Sequence, residues 1–140
     1  MINKVNAVQK TLNQTNEWLK ELMEVYDFAD ENKAFVLLRA TLKGLRDRIT
    51  SGEAVQLGSA LPALMRGYYF EGWNLNVGQK KEKTVADFLT TVRSHLGGHD
   101  DIDLEMAVPE AMKIIFEKIG QSEAEDVKNN LPVELLEFCS

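Results

Sequence analysis

The sequence has a single cysteine, no excess of positive charge and no long apolar run. Each of these features argues against a class of protein. The one cysteine, Cys139, cannot form an intrachain disulfide, which is typical of proteins from a reducing cytosol. Nowhere do about 18 consecutive apolar residues occur, so the sequence predicts no transmembrane helix. The N-terminal residues also lack the apolar core of a secretory signal. We therefore expect a soluble, cytoplasmic protein.

The shortage of positive charge argues against nucleic acid as a partner. The chain carries a net charge of −6, and this charge is unevenly distributed. Residues 1–70 hold nine Lys/Arg against eight Asp/Glu, whereas residues 71–140 hold seven against fourteen. Binding to a phosphate backbone needs a basic surface stripe, which this balance does not provide. The acidic second half is expected to confer solubility.

Motifs for catalysis, cofactors and metals are missing as well. The sequence contains no dinucleotide fingerprint, no phosphate loop and no nucleophile elbow. His95 and His99 are four residues apart, but Gly97-Gly98 between them interrupts helical geometry, and the acidic run that follows lacks the spacing of a calcium loop. Cys139 has no neighbouring base. We expect no enzymatic activity, no cofactor and no metal site.

What the chain does contain is helical periodicity. Apolar residues recur at helical spacing along most of it, and no strand of useful length is present, which predicts an all-α protein. The expected helices cover about 16–26 (which can continue from 4–12), 34–49, 54–61, 62–69, 85–96, 106–119, 124–130, and a last one opening at Pro132. Pro109 is expected either to start the sixth helix or to kink it.

Three residues are predicted to cap helix N-termini: Asp30, Thr50 and Thr84. Thr50-Ser51-Gly52-Glu53 matches a capping box, in which the Thr50 hydroxyl and the Glu53 carboxylate each accept the other residue's backbone N–H. Gly97-Gly98 is expected to stop the fifth helix.

An internal repeat organises these helices. When residue i is aligned with residue i+70, no gap is needed from 15/85 to 69/139, and eight of the 55 pairs are identical. At this offset the helix caps, the apolar stripes and the two Leu-Pro dipeptides of one half coincide with those of the other. We predict one helical domain, 1–140, of two tandem pseudo-symmetric four-helix units (about 15–70 and 84–140) sharing one core, with residues 71–83 as linker. The alternative is that two helical segments share amphipathic phase by coincidence.

A motif block adds a family resemblance. Leu-Pro-Ala-Leu-Met-Arg-Gly-Tyr-Tyr-Phe-Glu-Gly-Trp at 61–73, with the segments 42–49 and 53–57, resembles bacterial family 2267 of the domains of unknown function. The resemblance covers roughly residues 15–138. It implies an all-helical cytoplasmic bacterial protein and carries no activity with it.

The repeat also suggests where a binding site lies, because residues present in only one half are freer to serve function. Arg66, Tyr69, Glu71 and Trp73 have no equivalent in the second half. Arginine and large aromatic side chains are typical of recognition surfaces. We predict that these four residues bind a partner. The alternative is structural: Arg66 pairs with Glu71 or another carboxylate, and the aromatics seal the junction between the halves.

A second, weaker candidate is a basic helix face. Arg39, Lys43 and Arg46 lie at i, i+4 and i+7, so they share one side of the second helix. This face could bind a small anion or an acidic partner, could dock against the acidic second half, or could simply be solvated.

Two functions therefore remain open. The first is a non-enzymatic protein-interaction module that uses the Arg66–Trp73 region and binds another protein or a second copy of itself. The second is a helical protein that binds a small anionic ligand in a pocket between the halves. An exposed apolar patch favours the first, and a concave polar cavity near Arg66 favours the second.

Overall fold

The computed structural model describes residues 1–140 and contains eight α-helices and no strand, which confirms the all-α prediction. A short 3-10 turn at Ile2–Lys4 precedes them. The helices are α1 (Asn6–Val25), α2 (Glu31–Arg48), α3 (Ser51–Ser59), α4 (Ala63–Phe70), α5 (Val85–Ser94), α6 (Leu104–Lys118), α7 (Gln121–Asn129) and α8 (Val133–Phe138). None of them combines the length and apolar character needed to cross a bilayer.

The predicted N-caps are confirmed. The Asp30 carboxylate accepts from the Lys33 N–H at 2.9 Å, and the Thr50 hydroxyl oxygen accepts from the Glu53 N–H at 3.2 Å. Thr84 caps α5 in the same way through the Asp87 N–H at 3.1 Å. These bonds satisfy backbone donors that a helix N-terminus leaves free.

One half of the predicted capping box is wrong. The N–H of Thr50 donates to the side-chain oxygen of Asn130 at 3.2 Å and not to the Glu53 carboxylate. Asn130 ends α7, so the first turn of α3 is tied to the other half of the chain. The Glu53 side chain is left to face α7, where it meets Glu123.

Helix bounds in the second half differ from the predicted ones by at most three residues. α6 begins at Leu104, so Pro109 lies inside the helix and does not start it. α7 begins at Gln121, three residues before the predicted start. α5 ends at Ser94, just before Gly97 and Gly98, which both have positive φ (63° and 93°).

The helices share one hydrophobic core, in which 34 buried residues form a single cluster with members from all eight helices. α2 is its centre, because it packs against α1, α3, α4, α5 and α6. Twelve of the 18 residues of α2 are buried. A helix covered on this many sides has little surface left for solvating charged side chains.

Helix bounds in the two halves correspond at the 70-residue offset. α7 (Gln121–Asn129) matches α3 (Ser51–Ser59) end for end, and α6 ends at Lys118 as α2 ends at Arg48. The first helices differ, since α1 is twice as long as α5 (20 against 10 residues). α1 packs on α6, and α5 packs on α2.

The contact between α2 and α5 depends on Gly44. A Cβ at this position would lie 2.7 Å from Cγ2 of Val92 and 3.4 Å from the ring of Phe88. Both side chains are in the core, so they cannot move aside freely. Gly44 therefore sets how closely α5 approaches the central helix.

We expect Gly44→Ala to destabilise the fold by overpacking this contact, lowering the free energy of unfolding by about 1–3 kcal/mol. Gly67→Ala is the matched control: it lies within α4, and its added Cβ would meet nothing within 4 Å. The control should gain up to about 1 kcal/mol from better helix propensity. Urea denaturation followed by circular dichroism measures both. Equal stability of the two variants would contradict the close packing of α2 and α5.

Candidate functional site

Arg66 is bound to the C-terminus of α3. Its Nε donates to the carbonyl oxygen of Gly58 at 2.9 Å, and its Nη2 donates to those of Leu61 at 2.9 Å and Ser59 at 3.4 Å. The last carbonyls of a helix have no donors within the helix, so the guanidinium supplies them. The structural alternative had suggested an ion pair between Arg66 and Glu71. This pair does not form, and Glu71 pairs with Lys43.

Tyr69 is fully buried and lies in the core, so it is not part of an exposed binding surface. Its hydroxyl donates to the carbonyl oxygen of Ala54 on α3 at 2.7 Å. Burial raises the pKa of Tyr69 far above its ordinary value, which keeps the phenol neutral. The residue joins α4 to α3.

The other two predicted binding residues are accessible. Glu71 is exposed and accepts a hydrogen bond from Nζ of Lys43 at 3.3 Å. Trp73 is half-buried, with its ring 5.4 Å from that of Phe70. The structure therefore does not bring the four residues together on one exposed surface.

Two of the three residues on the basic face of α2 are buried, so the alternative of a solvated helix face is wrong. Arg46 is 4% exposed and Lys43 is 8% exposed. Arg46 donates through Nη1 to the carbonyl oxygens of Tyr69 at 2.8 Å and Glu71 at 3.2 Å, and through Nε to the Asp47 carboxylate at 3.1 Å. The end of α4 thus covers this side of α2, and the guanidinium is used to hold it there.

Arg39 alone among the cations of this face has neither an ion pair nor a hydrogen bond within the protein. Its guanidinium carbon lies 5.8 Å from the ring centroid of Phe35 and 5.4 Å from that of Tyr68. The two rings meet edge to face at 5.3 Å. Nε of Arg39 is buried and has no hydrogen-bond acceptor. The structure therefore holds a guanidinium between two aromatic rings with its donors unused.

Arg48 is a second arginine with unused donors, and sequence reasoning did not single it out. It is 2% exposed, and its Nη2 donates to the Thr91 hydroxyl oxygen at 3.0 Å. Its Nε and Nη1 are buried and have no acceptor. Burial also lowers the pKa of Arg48. One signal was available: Arg48 follows Leu45 by three positions and Thr41 by seven, so it falls on the apolar stripe of α2.

The two histidines have separate partners. Nε2 of His95 lies 3.0 Å from the Asp47 carboxylate, whereas Nδ1 of His99 lies 3.3 Å from Nζ of Lys33. Burial acts to raise the pKa of Asp47, but the hydrogen bond from His95 and the charge of Arg46 outweigh it and hold that pKa below its usual value. Asp47 therefore stays ionised and links α2 to the end of α5.

Three carboxylates meet where α3 packs on α7. Oxygen atoms of Glu53, Glu123 and Asp126 lie within 4.8 Å of one another, which is close enough to share a hard cation. Burial, followed by the neighbouring Glu53, raises the pKa of Glu123 to about 7. Oε1 of Glu53 and Oε1 of Glu123 are buried and accept no hydrogen bond. Near neutral pH this pair therefore holds a proton that isolated carboxyls would have lost.

Two concave surfaces bear on the anion alternative. A groove of about 490 Å³ between α1 and the α3–α4 turn is lined by Lys10, Trp18, Arg66 and Lys118. A concave, partly polar cavity near Arg66 was the observation that would favour a small anionic ligand, but Nε and Nη2 of Arg66 are already bound to carbonyl oxygens there. A second cavity of about 560 Å³ includes Arg48 and residues from both halves.

Comparison with known proteins identifies a family and nothing more specific. A family model described as "Uncharacterized conserved protein (DUF2267)" matches residues 15–138, in agreement with the resemblance drawn from the motif block. No curated protein matches the chain.

Removing the Arg66 side chain should destabilise the protein. Arg66→Ala leaves the carbonyls at the end of α3 without their charged donor, and such hydrogen bonds contribute about 1–3 kcal/mol. We expect the thermal midpoint to fall by roughly 3–8 °C, measured by calorimetry. Arg93→Ala is the control, because Arg93 is exposed on α5 and takes part in no ion pair. Equal midpoints for the two variants would show that Arg66 has no structural role.

The carboxylate pair should make stability depend on pH near neutrality. The pKa of Glu123 in the folded protein is raised to about 7. The contribution of Glu123 to the free energy of unfolding is therefore complete below the pKa of the unfolded chain and is lost as pH rises through 7. We expect a lower thermal midpoint at pH 8 than at pH 6. Glu123→Gln should narrow this difference and raise the midpoint at pH 8, whereas Glu125→Gln, an exposed neighbour, should not. A pH dependence that Glu123→Gln leaves unaltered would contradict the raised pKa of Glu123.

Proposed function

Because the chain belongs to the family of uncharacterized conserved proteins (DUF2267), whose description assigns no activity, we propose its function from the geometry of its surface. We propose a non-enzymatic protein-interaction module. Its contact surface, the Arg39 surface, consists of Phe35, Arg39, Tyr68 and Glu71. A cytoplasmic location stays a prediction.

The observation that carries this proposal is the state of Arg39. Of the five cations on α2, it alone has neither an ion pair nor a hydrogen bond. Lys33 and Lys43 pair with carboxylates, and Arg46 and Arg48 donate to oxygen atoms. A guanidinium that gains its acceptor only from a partner contributes to binding without having been needed for folding.

The surroundings of Arg39 favour an acidic partner with apolar neighbours. Phe35 and Tyr68 are half-buried, so each offers ring area beside the positive charge. A partner carboxylate can accept from the guanidinium while an adjacent apolar side chain covers a ring. The exposed Glu71, held by Lys43 one helical turn from Arg39, places a negative charge at the rim. We therefore infer a partner segment that presents Asp or Glu next to an apolar residue.

The Arg39 surface is preorganised by the helices that carry it. Phe35 and Arg39 lie one turn apart on α2, and Tyr68 lies on α4, which packs against α2. Beneath them, Leu38 and Met65 are buried in the core. Because the rings are fixed before binding, little side-chain freedom is lost when a partner binds.

This cluster also occurs only once in the chain. At the 70-residue offset, Phe35 and Arg39 correspond to Glu105 and Pro109. The second half therefore cannot form an equivalent arginine–aromatic arrangement. This supports a role other than holding the scaffold together.

We further propose that the chain is one domain, 1–140, of two four-helix units (15–70 and 84–140) joined by residues 71–83. The packing supports an approximate two-fold relation between the units. α1 packs on α6 as α5 packs on α2, and the equivalent helices α2 and α6, and α3 and α7, pack on each other. This arrangement is the basis for comparing the two halves, which adds support to the choice of Arg39.

Replacing Arg39 should remove a partner without unfolding the protein. We expect Arg39→Gln to leave the thermal midpoint within about 2 °C of wild type, because no acceptor in the protein loses its hydrogen-bond donor. Tagged full-length wild type, Arg39→Gln and Arg93→Gln would be used to capture proteins from the native host, with quantitative mass spectrometry. A partner captured by wild type and Arg93→Gln, and lost with Arg39→Gln, is the expected result.

The captured partner then gives a second test. Binding of the purified partner should weaken at least about tenfold when the contacting Asp or Glu is changed to Asn or Gln. Analytical ultracentrifugation of the purified protein shows whether it forms a dimer, in which case the partner is a second copy of the chain. Identical captured proteins for wild type and Arg39→Gln would contradict the proposal.

A further inference from the structure

A cavity of about 560 Å³ lies between the end of α2, the linker residues 79–83, and the α7–α8 turn with the first residues of α8 (130–134). We infer that it binds a small molecule bearing a phosphate group, with Arg48 as the anchor for that phosphate. The inference does not depend on the Arg39 surface, since the two sites have no residue in common.

The first step is the buried guanidinium of Arg48. An arginine has five N–H donors, one on Nε and two on each of the terminal nitrogens. Nη2 is bound to the Thr91 hydroxyl, but Nε and Nη1, which carry three of the five, have no acceptor. The side chain is 2% exposed, so bulk water does not satisfy them. A buried cation in this state attracts an anion to the cavity that it lines.

The second step is the charge of the cavity wall. Lys80, Lys81 and Lys83 lie on it with Arg48, against only Glu82 and Glu134. Three of the seven basic residues in 71–140 are thus concentrated here, in a chain with net charge −6. Glu134 is already engaged, because its carboxylate accepts from the Val85 N–H at 2.7 Å. The cavity is therefore a local region of positive potential on an acidic protein.

The third step is the position of Glu82. Its carboxylate lies 3.9 Å from Nη1 of Arg48, too far for a hydrogen bond, and the side chain is 55% exposed. Around it the linker is fixed: the Lys80 N–H donates to the Asp47 carbonyl oxygen at 2.8 Å, and the Gln79 amide donates to that of Arg48 at 2.7 Å. Glu82 is thus a weak internal anion that a tighter one can displace while the linker backbone stays in place.

The mixture of cations favours phosphate over a carboxylate. Lysines act as compact point charges that suit the several oxygens of a phosphate, and the arginine adds directed N–H donors. The sequence had placed an anion pocket between the halves near Arg66. Nε and Nη2 of Arg66 are already bound to carbonyl oxygens, whereas Nε and Nη1 of Arg48 are buried without an acceptor, so the anion pocket is better placed at Arg48.

The test is binding of inorganic phosphate and pyrophosphate to the full chain, measured by calorimetric titration and by the shift in thermal midpoint against sodium chloride at equal ionic strength. We expect wild type to bind both anions. Glu82→Gln should bind about fivefold more tightly, because the competing charge is removed. The double variant Lys81→Gln/Lys83→Gln should bind at least about fivefold more weakly. All three substituted residues are exposed, so the fold is retained.

Lys10→Gln is the matched control, since Lys10 lines the groove beside Arg66 and should leave binding unchanged. Succinate serves as the carboxylate probe and should bind more weakly than phosphate. Any of three results would overturn the inference: no binding by wild type, loss of binding in Lys10→Gln instead of in the lysine double variant, or succinate binding as tightly as phosphate.

Discussion

The burial of α2 is the constraint on which the rest of the structure depends. This helix packs against five others, yet it carries five cations. Burying a guanidinium without acceptors is costly, so each buried arginine requires acceptors. Arg46 meets this requirement by donating to the carbonyl oxygens of Tyr69 and Glu71, so the end of α4 must lie against α2. That position in turn buries Tyr69 against α3 and leaves its neighbour Tyr68 beside Arg39.

The hydrogen-bond state of each arginine distinguishes those that hold the fold together from those for which we propose a binding role. Arg46 and Arg66 both donate through Nε and a terminal nitrogen to acceptors within the protein, and both hold the end of one helix against another. Arg39 and Arg48 each retain donors that the protein does not satisfy. One of these is held between aromatic rings at the surface, and the other lines a cavity, so they suit a protein partner and a small anion respectively.

Local chemistry explains why much of the fold could be predicted and the site could not. The caps at Asp30, Thr50 and Thr84 depend on residues three positions away, so the sequence reveals them. The acceptors of Arg46, by contrast, are backbone carbonyls 23 and 25 residues away, which no side-chain pattern marks. Restriction to one half pointed to α4, which carries Tyr68 of the proposed Arg39 surface. The comparison of the halves could not show that Tyr69 faces the core while Tyr68 stays accessible, because this depends on how α4 is rotated against α2.

The most direct test is nuclear magnetic resonance of the arginine Nε–H groups in the full chain, titrated with phosphate. The Nε–H of Arg46 and Arg66 should exchange slowly with water and should not shift, because each already has an acceptor. The Nε–H of Arg48 should shift as phosphate is added. A shift of the Arg46 or Arg66 signals with a silent Arg48 would contradict the division between satisfied and unsatisfied arginines.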